Sequence, residues 1–268
     1  MTRPSGAGAG IGWRRQQHGV SHLETMNDKL RSSGWLLCDF HIHTHWSDGS
    51  ELMENVVDLY GASGFDAICI TDHLIDSQFW QRFPQARAIA PPDFDKYLEH
   101  LWREAERAWE QYGMILIPGA EVTNQTRGYH ILAVDIKRFI DPDDSVEGII
   151  EQIHRQGGIA IACHPHRREP QNGLLDPGSR FLWEHHEQYA SLFDAWEVAN
   201  RDDLFNAVGL KKYNYIANGD FHTRNHLYSW KTLVECPKNT QAIKQAIRDN
   251  LRIALYLFRD KQKGNSDY

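Results

Sequence analysis

Short apolar runs alternate with helical patterns along most of this chain, and many of the runs end in a histidine or an acidic residue. The runs occupy residues 35–41, 66–71, 114–122, 129–136, 159–164, 193–199 and 215–220. Near-continuous apolar strands are typical of a parallel sheet that is covered on both faces. Repeated strand–helix units of this kind predict an α/β fold, either a closed barrel or an open doubly wound sheet.

Two of the intervening helices are predicted with clear ends. In residues 93–113 one apolar face ends at Gly113, and in residues 145–157 a helix begins after Ser145 and ends at Gly157. The apolar face of the first helix contains Tyr97, Leu98, Leu101, Trp102, Ala105, Ala108, Trp109 and Tyr112. From Thr232 onward the pattern predicts a strand, a helix and a last apolar run that complete or flank the sheet.

Length and composition favour a single domain without a membrane segment. The 268 residues are 41% hydrophobic, which suffices for one sizeable core. We expect residues 1–34 to be a disordered leader, residues 35–258 the domain and residues 259–268 a frayed tail. Met26 is a hypothetical start site, which N-terminal sequencing of the native protein would test.

The net charge restricts the possible binding partners, and the cysteines indicate the cellular compartment. A formal net charge of −7 disfavours an extended surface for duplex DNA, although a local basic pocket for a phosphate is compatible with it. No run approaches the length of a membrane helix, and the N-terminus lacks the apolar core of a secretory signal. The scattered cysteines Cys38, Cys69, Cys163 and Cys236 are expected to be reduced. A cytoplasmic protein is therefore predicted.

Histidines and acids fall at or just past the ends of the predicted strands. His41 and His43 are two residues apart, so on an extended strand both side chains point to one face and can hold one ion. Asp220 and His222 repeat this spacing. In a barrel the carboxyl ends of the strands meet at one mouth. His130 is the exception, because it lies near the start of its run and needs a short strand or a different orientation to reach that mouth.

The donor set favours a catalytic metal site over a structural one. A single histidine in such a chain is more often structural, but the whole set indicates metal binding. Imidazoles and carboxylates without thiolates suit Mn²⁺, Zn²⁺ or Fe²⁺, and the surplus of ligands predicts two or three ions. Closely spaced ions can share a hydroxide and neutralise charge on a phosphate under in-line attack.

Five stretches of the chain resemble, in order, the motifs of the polymerase-and-histidinol-phosphatase (PHP) family. They are "HIHTHWSDGS", "ITDH", "GAEV", the "HP" of "ACHPH", and "GDFH", and the resemblance covers residues 36–225. The resemblance implies a distorted (β/α)7 TIM-like barrel of PHP type, a trinuclear metal site and phosphoesterase activity.

The resemblance also implies a role for each matching residue. One ion would be held by His41, His43, Glu121 and Asp220, a second by Glu121, His130 and His164, and a third by Asp48, His73 and His222. His41, His43, Glu121, Asp220 and His222 would be the catalytic group. An aspartate at position 48, where the family varies, favours harder ions such as Mn²⁺.

Further residues near the mouth are candidates for binding substrate. His166, Arg167 and Arg168 follow the proposed ligand His164, and Arg224 follows His222, so a guanidinium could grip phosphate oxygens there. For each of these, and for His226, a solvated loop is the competing interpretation. Asp72 either orients His73 or makes a structural hydrogen bond, and we expect His45 to face solvent.

The long connection at residues 74–93 carries aromatic side chains and is either a cover over the mouth or a packed surface loop. Its rings would suit a base or an imidazole. They are Phe79, Trp80 and Phe83.

The predicted function is hydrolysis of a small phosphate ester or nucleotide by a metal-activated hydroxide. The sequence contains neither G-x-x-x-x-G-K-[ST] nor G-x-S-x-G, so a phosphate-binding P-loop and a serine nucleophile elbow are not supported. Three alternatives stay open. They are an exonuclease acting on oligonucleotide ends, a metal-dependent hydrolase acting at carbon, and a non-catalytic metal-binding module.

Overall fold

The computed structural model describes residues 33–259. Most of the expected leader and the expected tail from residue 260 onward therefore lie outside the described residues. The strands are β1 Trp35–Asp39, β2 Ala67–Ile70, β3 His73–Ile75, β4 Ile115–Asn124, β5 Tyr129–Val134, β6 Ile159–Ala162, β7 Ala195–Asn200, β8 Asp203–Leu204, β9 Tyr215–Asn218, β10 Trp230–Glu235 and β11 Ile253–Leu257.

Helices separate many of these strands along the chain. They are α1 Met53–Ala62, α2 Ser77–Arg82, α3 Phe94–Tyr112, α4 Val146–Arg155, α5 Pro177–Glu184, α6 His186–Tyr189, α7 Asn206–Gly209 and α8 Thr240–Asp249, with 3-10 turns at Pro91–Asp93 and Arg224–Leu227. All of the apolar runs predicted as strands form strands, with ends that differ by a few residues. No helix within residues 33–259 combines the length and the apolar character that crossing a bilayer requires.

The strands form one mixed sheet, and the expectation of an all-parallel sheet was wrong. The hydrogen-bonded order is β11-β10-β1-β2-β4-β5-β6-β7-β8, with β3 paired to β4 and β9 paired to β7. Strands β1, β2, β4 and, separately, β6, β7 and β9 pair in parallel. Strand β5 is antiparallel to both of its neighbours, because a tight turn at Gly128 joins it directly to β4 without a helix. The regular strand–helix alternation is interrupted there.

The curl of the sheet brings β9 next to β1. Within the described residues a single bridge, between Ile42 and Phe221, connects the segments that follow these two strands. The amide of His43 donates to the carbonyl of Phe221 at 2.8 Å, and the amide of Phe221 donates to the carbonyl of His41 at 3.1 Å. Lower down, the Phe40 amide donates to the side chain of Asn218 instead of to a backbone carbonyl. The seam between β1 and β9 therefore relies heavily on side chains.

Two apolar clusters occupy the two faces of the sheet. Alternate residues of β6 separate cleanly, since Ile161 belongs to the inner cluster with Phe40, whereas Ala160 belongs to the outer cluster with the helices. The inner cluster also contains Cys38, Cys69 and Cys163, which are buried free thiols. The inner face of the curled sheet therefore has a largely apolar floor.

Helix α3 buries a narrower face than the sequence pattern predicted. Tyr97, Leu98 and Leu101 are buried, but Trp102 and Trp109 are 50% and 56% exposed. At 3.6 residues per turn these two tryptophans lie about 100° and about 80° from Leu101, beyond the edge of the buried arc. The prediction that both belong to the core was wrong. The helix ends as predicted, with Gly113 in the left-handed conformation.

Helix α4 and the chain from β10 onward match their predictions. The Ser145 hydroxyl accepts a hydrogen bond from the amide of Gly148, which caps the start of α4, and Gly157 adopts a positive φ after its end. The sheet continues beyond β1 into β10 and β11, and helix α8 joins these two strands.

Truncation of a buried residue on α3 should cost far more stability than truncation of an exposed one. We expect Leu101→Ala to lower the free energy of unfolding by about 2–5 kcal/mol, because it removes fully buried methyl groups and leaves a cavity. Trp102→Ala is the matched control on the same helix and should cost at most about 1 kcal/mol. Urea unfolding measures both, and equal losses would contradict the observed helix orientation.

Candidate metal centre

Strand ends bring all of the expected ligands together at one rim of the curled sheet. Parallel strands β1, β2, β4, β6 and β9 end there, and β3 lies beside the end of β4. The cluster contains His41, His43, Asp48, His73, Glu121, His130, His164, Asp220 and His222. Nitrogen and carboxylate oxygen atoms approach one another throughout this set, so the structure connects the whole predicted group.

Glu121 lies at the centre of the cluster and is 1% exposed. Its Oε2 is 3.1 Å from the Nε2 atoms of both His41 and His43, and 3.3 Å from His73 Nδ1. Its Oε1 faces the other side, where His130 Nδ1 lies at 2.6 Å and His164 Nε2 at 3.5 Å. The two carboxylate oxygens thus face two separate groups of imidazoles, as a bridging ligand requires.

The reversed direction of β5 explains how His130 reaches this rim. The residue lies at the start of its strand, where the sequence alone left its orientation open. Because β5 is antiparallel to β4, its beginning lies beside the end of β4, and His130 pairs in register with Thr123. Of the two possibilities that the sequence left open, a short strand or a different orientation, the structure has the different orientation.

A second part of the cluster surrounds Asp48, whose side chain is 45% exposed. Its Oδ1 is 3.2 Å from His222 Nε2, 3.6 Å from His73 Nε2 and 3.8 Å from His43 Nδ1. The sequence analysis had placed the first two residues with Asp48, and the structure adds His43 to the same group. Asp48 is the most solvent-accessible residue of this group.

Asp220 connects the two parts of the cluster. Its Oδ1 lies 3.4 Å from His41 Nε2, 3.5 Å from His43 Nε2 and 3.3 Å from His222 Nδ1. Its φ of 44° falls in the left-handed region, and that of His164 is 23°. Such backbone conformations are strained for residues with a Cβ and occur mainly where the surrounding structure demands them.

A buried nitrogen without a hydrogen bond shows that the cluster fits a cation. His43 Nε2 makes no hydrogen bond, although it lies close to the carboxylates of Glu121 and Asp220. A buried polar atom without a partner is costly, and a divalent ion between an imidazole nitrogen and carboxylate oxygens would satisfy all of them at once.

The pKa values of the cluster are those of a site with strongly coupled charges. Burial alone would lower the pKa of His43, but the nearby carboxylates of Asp220 and Glu121 outweigh that effect and raise the value to about 9. Burial lowers the pKa of His73 to about 3 and that of His164 to about 4. Burial opposes ionisation of Glu121, yet the imidazoles around it hold its pKa well below its usual range. Metal ions bind ionised carboxylates and neutral imidazoles, so an ion bound at His43 would displace a proton from its ring.

Glu197 on β7 is a functional candidate that the sequence analysis missed. Its Oε1 is 2.9 Å from His41 Nδ1, and its Oε2 accepts a hydrogen bond from the amide of His164 at 2.6 Å. A carboxylate behind an imidazole fixes which ring nitrogen faces the metal. The signal was present in the sequence, because Glu197 lies between the apolar residues Trp196 and Val198 of the run 193–199.

Two arginines reach the cluster, and one of them was not predicted. Arg167 contacts both Asp220 and the side chain of Asn200. Arg201, which follows β7 with a positive φ, places Nη2 3.2 Å from Asp220 Oδ2. Burial opposes ionisation of Asp220, but Arg167 and His41 hold its pKa well below its usual range.

The other predicted substrate-binding residues make different contacts. Arg168 is exposed and donates to the carbonyl of Gly173 at 2.6 Å. Arg224 forms a paired ion contact with Glu51 at 2.9 and 2.8 Å. His166 packs edge-on against Trp183, with ring centres 4.8 Å apart. Within residues 33–259, these side chains show no contact with the ligand cluster, and their role in substrate binding stays a prediction.

Residues next to the proposed ligands serve as supports. The carboxylate of Asp72 accepts hydrogen bonds from Thr44 and Ser47, so it organises the loop that leads to Asp48. His73 Nδ1 instead bonds to Thr123. His45 is exposed, as predicted, and His226 Nδ1 accepts a hydrogen bond from the amide of His222.

The segment at residues 74–93 reaches the mouth through an arginine. Arg87 donates to the carbonyls of His45 and Gly49, in the loop that carries Asp48. Phe79 and Phe83 pack on each other with ring centres 4.7 Å apart. Trp80 lines a groove of about 530 Å³ with residues of the 139–143 segment. The packed-loop interpretation therefore describes these rings better than a cover over the mouth.

A second group of possible ligands is already satisfied by protein contacts. Glu54 of α1 and His100 and Glu104 of α3 approach one another. Arg107 pairs with Glu104, and the indole of Trp46 donates to His100 Nδ1 at 3.0 Å. A cation would therefore find fewer free donor atoms in this group than in the cluster around Glu121.

A histidine–carboxylate cluster at the strand ends of a curled α/β sheet is the kind of site found in metal-dependent hydrolases. The family model for the PHP domain matches residues 39–195, more than half of the chain. The chain therefore belongs to the PHP domain family, which confirms the resemblance found in the sequence.

One solved structure shares the fold at low sequence identity. A two-domain protein from Bacteroides vulgatus, described as containing a predicted PHP-like metal-dependent phosphoesterase, is 23% identical with a TM-score of 0.60. The match covers 84% of this chain and 65% of that protein, so this chain spans slightly less than two thirds of its relative. An amidohydrolase from Chromobacterium violaceum is 14% identical over 69% of this chain and 87% of its own, with a TM-score of 0.45. No curated protein sequence matches this chain.

Removal of His130 should weaken metal binding, because this imidazole faces Glu121 Oε1 from the reversed strand. We expect His130→Ala to lose one bound ion or to bind it about 10–100-fold more weakly. His154→Ala is the control, since His154 is 39% exposed and pairs with Asp194 away from the cluster. Elemental analysis after equilibration with Mn²⁺ measures the stoichiometry. The same ion content in both variants would count against a ligand role for His130.

Proposed function

We propose that this chain hydrolyses a small phosphate ester or a nucleotide at the cluster around Glu121. The ions would be two or three divalent cations, Mn²⁺, Zn²⁺ or Fe²⁺, and three groups of residues would hold them. The first group is His41, His43, Glu121 and Asp220, the second is Glu121, His130 and His164, and the third is Asp48, His73 and His222. When bound, such ions supply an activated water nucleophile and neutralise charge on a phosphate.

The observation that carries the proposal is the convergence of two guanidinium groups on the open side of this cluster. Arg167 and Arg201 both contact Asp220 Oδ2, and the side chain of Arg201 is 35% exposed. Guanidinium groups present paired donors that match phosphate oxygens in geometry and charge. A phosphate that arrives beside Asp220 would meet both arginines and the ligand cluster together.

The direction of approach follows from the exposure of the cluster. His41 and His43 are fully buried, whereas Asp48 and Arg201 are partly exposed. A substrate would therefore bind over the edge that these two residues form. Glu197 would hold His41 in the correct ring orientation, and His41, His43, Glu121, Asp220 and His222 would form the catalytic group.

The surrounding strands support the finer description of the fold. Strands β1, β2, β4, β5, β6, β7 and β9 follow one another around the cluster, and the β1–β9 seam brings the two ends together. This arrangement supports a distorted, seven-stranded TIM-like barrel of PHP type, with β5 reversed.

The three alternative functions differ in their substrates, so hydrolysis assays on one panel of substrates distinguish them. An exonuclease would release mononucleotides from a short oligonucleotide, and a hydrolase acting at carbon would cleave a lactone or an amide. A non-catalytic module would bind metal without turnover. Phosphate release from phosphomonoesters or nucleotides that requires Mn²⁺ and stops with chelator is the result expected here.

Asp220→Asn should abolish most of the turnover while the fold survives. The substitution keeps the side-chain volume but removes the negative charge that contacts three imidazoles and two arginines. We expect kcat for phosphate release to fall at least about 100-fold, more than the loss typical of outer-shell substitutions. Circular dichroism provides the folding control, and retained turnover in a folded variant would argue strongly against the proposal.

Arg201→Ala should impair the binding of phosphate more than the folding of the chain. Loss of a charged hydrogen bond to a phosphate oxygen predicts a decrease in kcat/KM of roughly 10–100-fold, mostly through KM. Arg155→Ala is the matched control, because Arg155 lies on α4, is 70% exposed and pairs with Glu151. Steady-state kinetics on the best phosphomonoester tests the pair. An unchanged KM in Arg201→Ala would remove this arginine from the substrate site.

A further inference from the structure

A fully buried ion pair lies beneath the ligand cluster. Lys231 of β10 and Asp39 at the end of β1 are both 0% exposed, and Lys231 Nζ is 2.6 Å from Asp39 Oδ2. No sequence pattern indicated this pair, because the two residues are far apart along the chain. Buried pairs of this kind are weak evidence for stability, since desolvation of both charges offsets much of their attraction.

The ammonium group of Lys231 connects β1 to the segment that follows His222. Besides Asp39, Nζ donates to the hydroxyl of Ser229 at 2.9 Å and approaches the carbonyl of His226 at 3.4 Å. The hydroxyl of Ser229 also donates to that carbonyl at 2.6 Å. The ring of His226 in turn accepts a hydrogen bond from the amide of His222 at 3.1 Å. Lys231 is therefore linked to a proposed metal ligand through one intervening residue.

The carboxylate of Asp39 connects the pair to a second proposed ligand. Its Oδ1 accepts a hydrogen bond from the amide of Gly219 at 2.9 Å, directly before Asp220. Its Oδ2 accepts a hydrogen bond from the hydroxyl of Tyr60 at 2.8 Å. Asp39 also lies two residues before His41 on the same chain segment. The pair thus touches every chain segment that enters the cluster from β1 and β9.

The backbone at Gly219 is fitted to this pair. A Cβ at that position would collide with Lys231 Nζ and would lie 2.6 Å from Asp39 Oδ2. The absence of a side chain lets the ion pair pack directly against the turn that presents Asp220. Contact this close means that a shift in the pair would displace the turn.

The location of the pair explains what it does. Strands β1 and β9 lead into His41, His43, Asp220 and His222, yet within residues 33–259 a single backbone bridge joins the segments that follow them. A regular ladder would fix the relative height of two strands, and at this seam most of that ladder is replaced by side chains. Lys231 and Asp39 supply a charged, fully hydrogen-bonded connection in its place.

We propose that Asp39 and Lys231 are positioning residues that set the spacing between the ligands of β1 and those that follow β9, and thereby the metal affinity of the cluster. The inference rests on the metal site of the proposed function, but it does not depend on which substrate that site accepts. Neither residue touches the cluster's ion-binding atoms directly.

A second buried lysine provides a matched control for the test. Lys244 of α8 is 4% exposed, pairs with Asp135 and donates to the carbonyl of Gly157 at 2.7 Å. Asp135 follows the end of the reversed strand β5, so this pair lies at the opposite rim. Loss of Lys244 also leaves a carboxylate without its partner, although Asp135 is 20% exposed, and it breaks no connection to the ligands.

The experiment is calorimetric titration of the metal-free full chain with Mn²⁺, in wild type, Lys231→Met and Lys244→Met, together with thermal unfolding of each. We expect both variants to lose thermal stability. Only Lys231→Met should bind Mn²⁺ about 10–100-fold more weakly or with one ion fewer. Equal affinity and stoichiometry in the two variants would overturn the proposal and leave the pair a structural one.

The double variant Asp39→Asn, Lys231→Met covers the case in which Lys231→Met alone does not fold. It leaves no unpaired buried charge, and the introduced carboxamide keeps an oxygen for the amide of Gly219, whereas the link to His226 is lost. Weakened Mn²⁺ binding in this folded variant supports the proposal, and wild-type binding refutes it. If the wild-type protein binds Mn²⁺ but releases no phosphate from any substrate, only the proposed function fails. The present proposal would stand, because its test measures affinity and not turnover.

Discussion

The arrangement of the whole rim depends on how one buried carboxylate is compensated. Glu121 is ionised despite its burial, because imidazoles approach both of its oxygens. A charge of this kind is tolerated in a protein interior only where partners surround it. The inner face of the sheet is largely apolar below the rim, so polar partners must come from the ends of neighbouring strands. The curvature of the sheet brings these strand ends together, so it also sets the distances between Glu121 and the residues around it.

The reversed strand β5 shows how the fold meets that requirement. In an all-parallel sheet the start of this strand would point away from the mouth, and His130 could not face Glu121. A direct turn from β4 into β5 places His130 at the rim where β4 ends, and there its Nδ1 contacts Glu121 Oε1. The irregular topology of the sheet thus places a ligand that regular strand–helix alternation would have excluded.

Charge is distributed unevenly over the molecule. The chain as a whole carries a formal net charge of −7, yet Arg167 and Arg201 both reach the rim beside Asp220. An overall negative charge disfavours long polyanions, whereas a local pair of guanidinium groups suits a single small anion. The sequence analysis favoured a small anionic ligand over duplex nucleic acid on the net charge alone.

The sequence by itself determined the strands, the family and most of the residues that lie together at the rim. These depend on local patterns: apolar runs fix the strands, and a histidine or an acid that follows a run lies at its end. The motif order was sufficient to indicate a PHP domain, which the family model confirms. The prediction of which α3 residues are buried was less accurate, because the spacing of apolar residues does not show where the buried face of a helix ends.

Only the tertiary structure decided the direction of β5, the contacts of Glu197 and Arg201 with the cluster, and the pairing of Lys231 with Asp39. Each depends on residues that are distant in the chain but adjacent across the curled sheet. Side-chain type and spacing describe only one segment at a time. The distance between two segments is set by packing and strand pairing, and this is why the sequence predicted which residues meet but not what holds them in place.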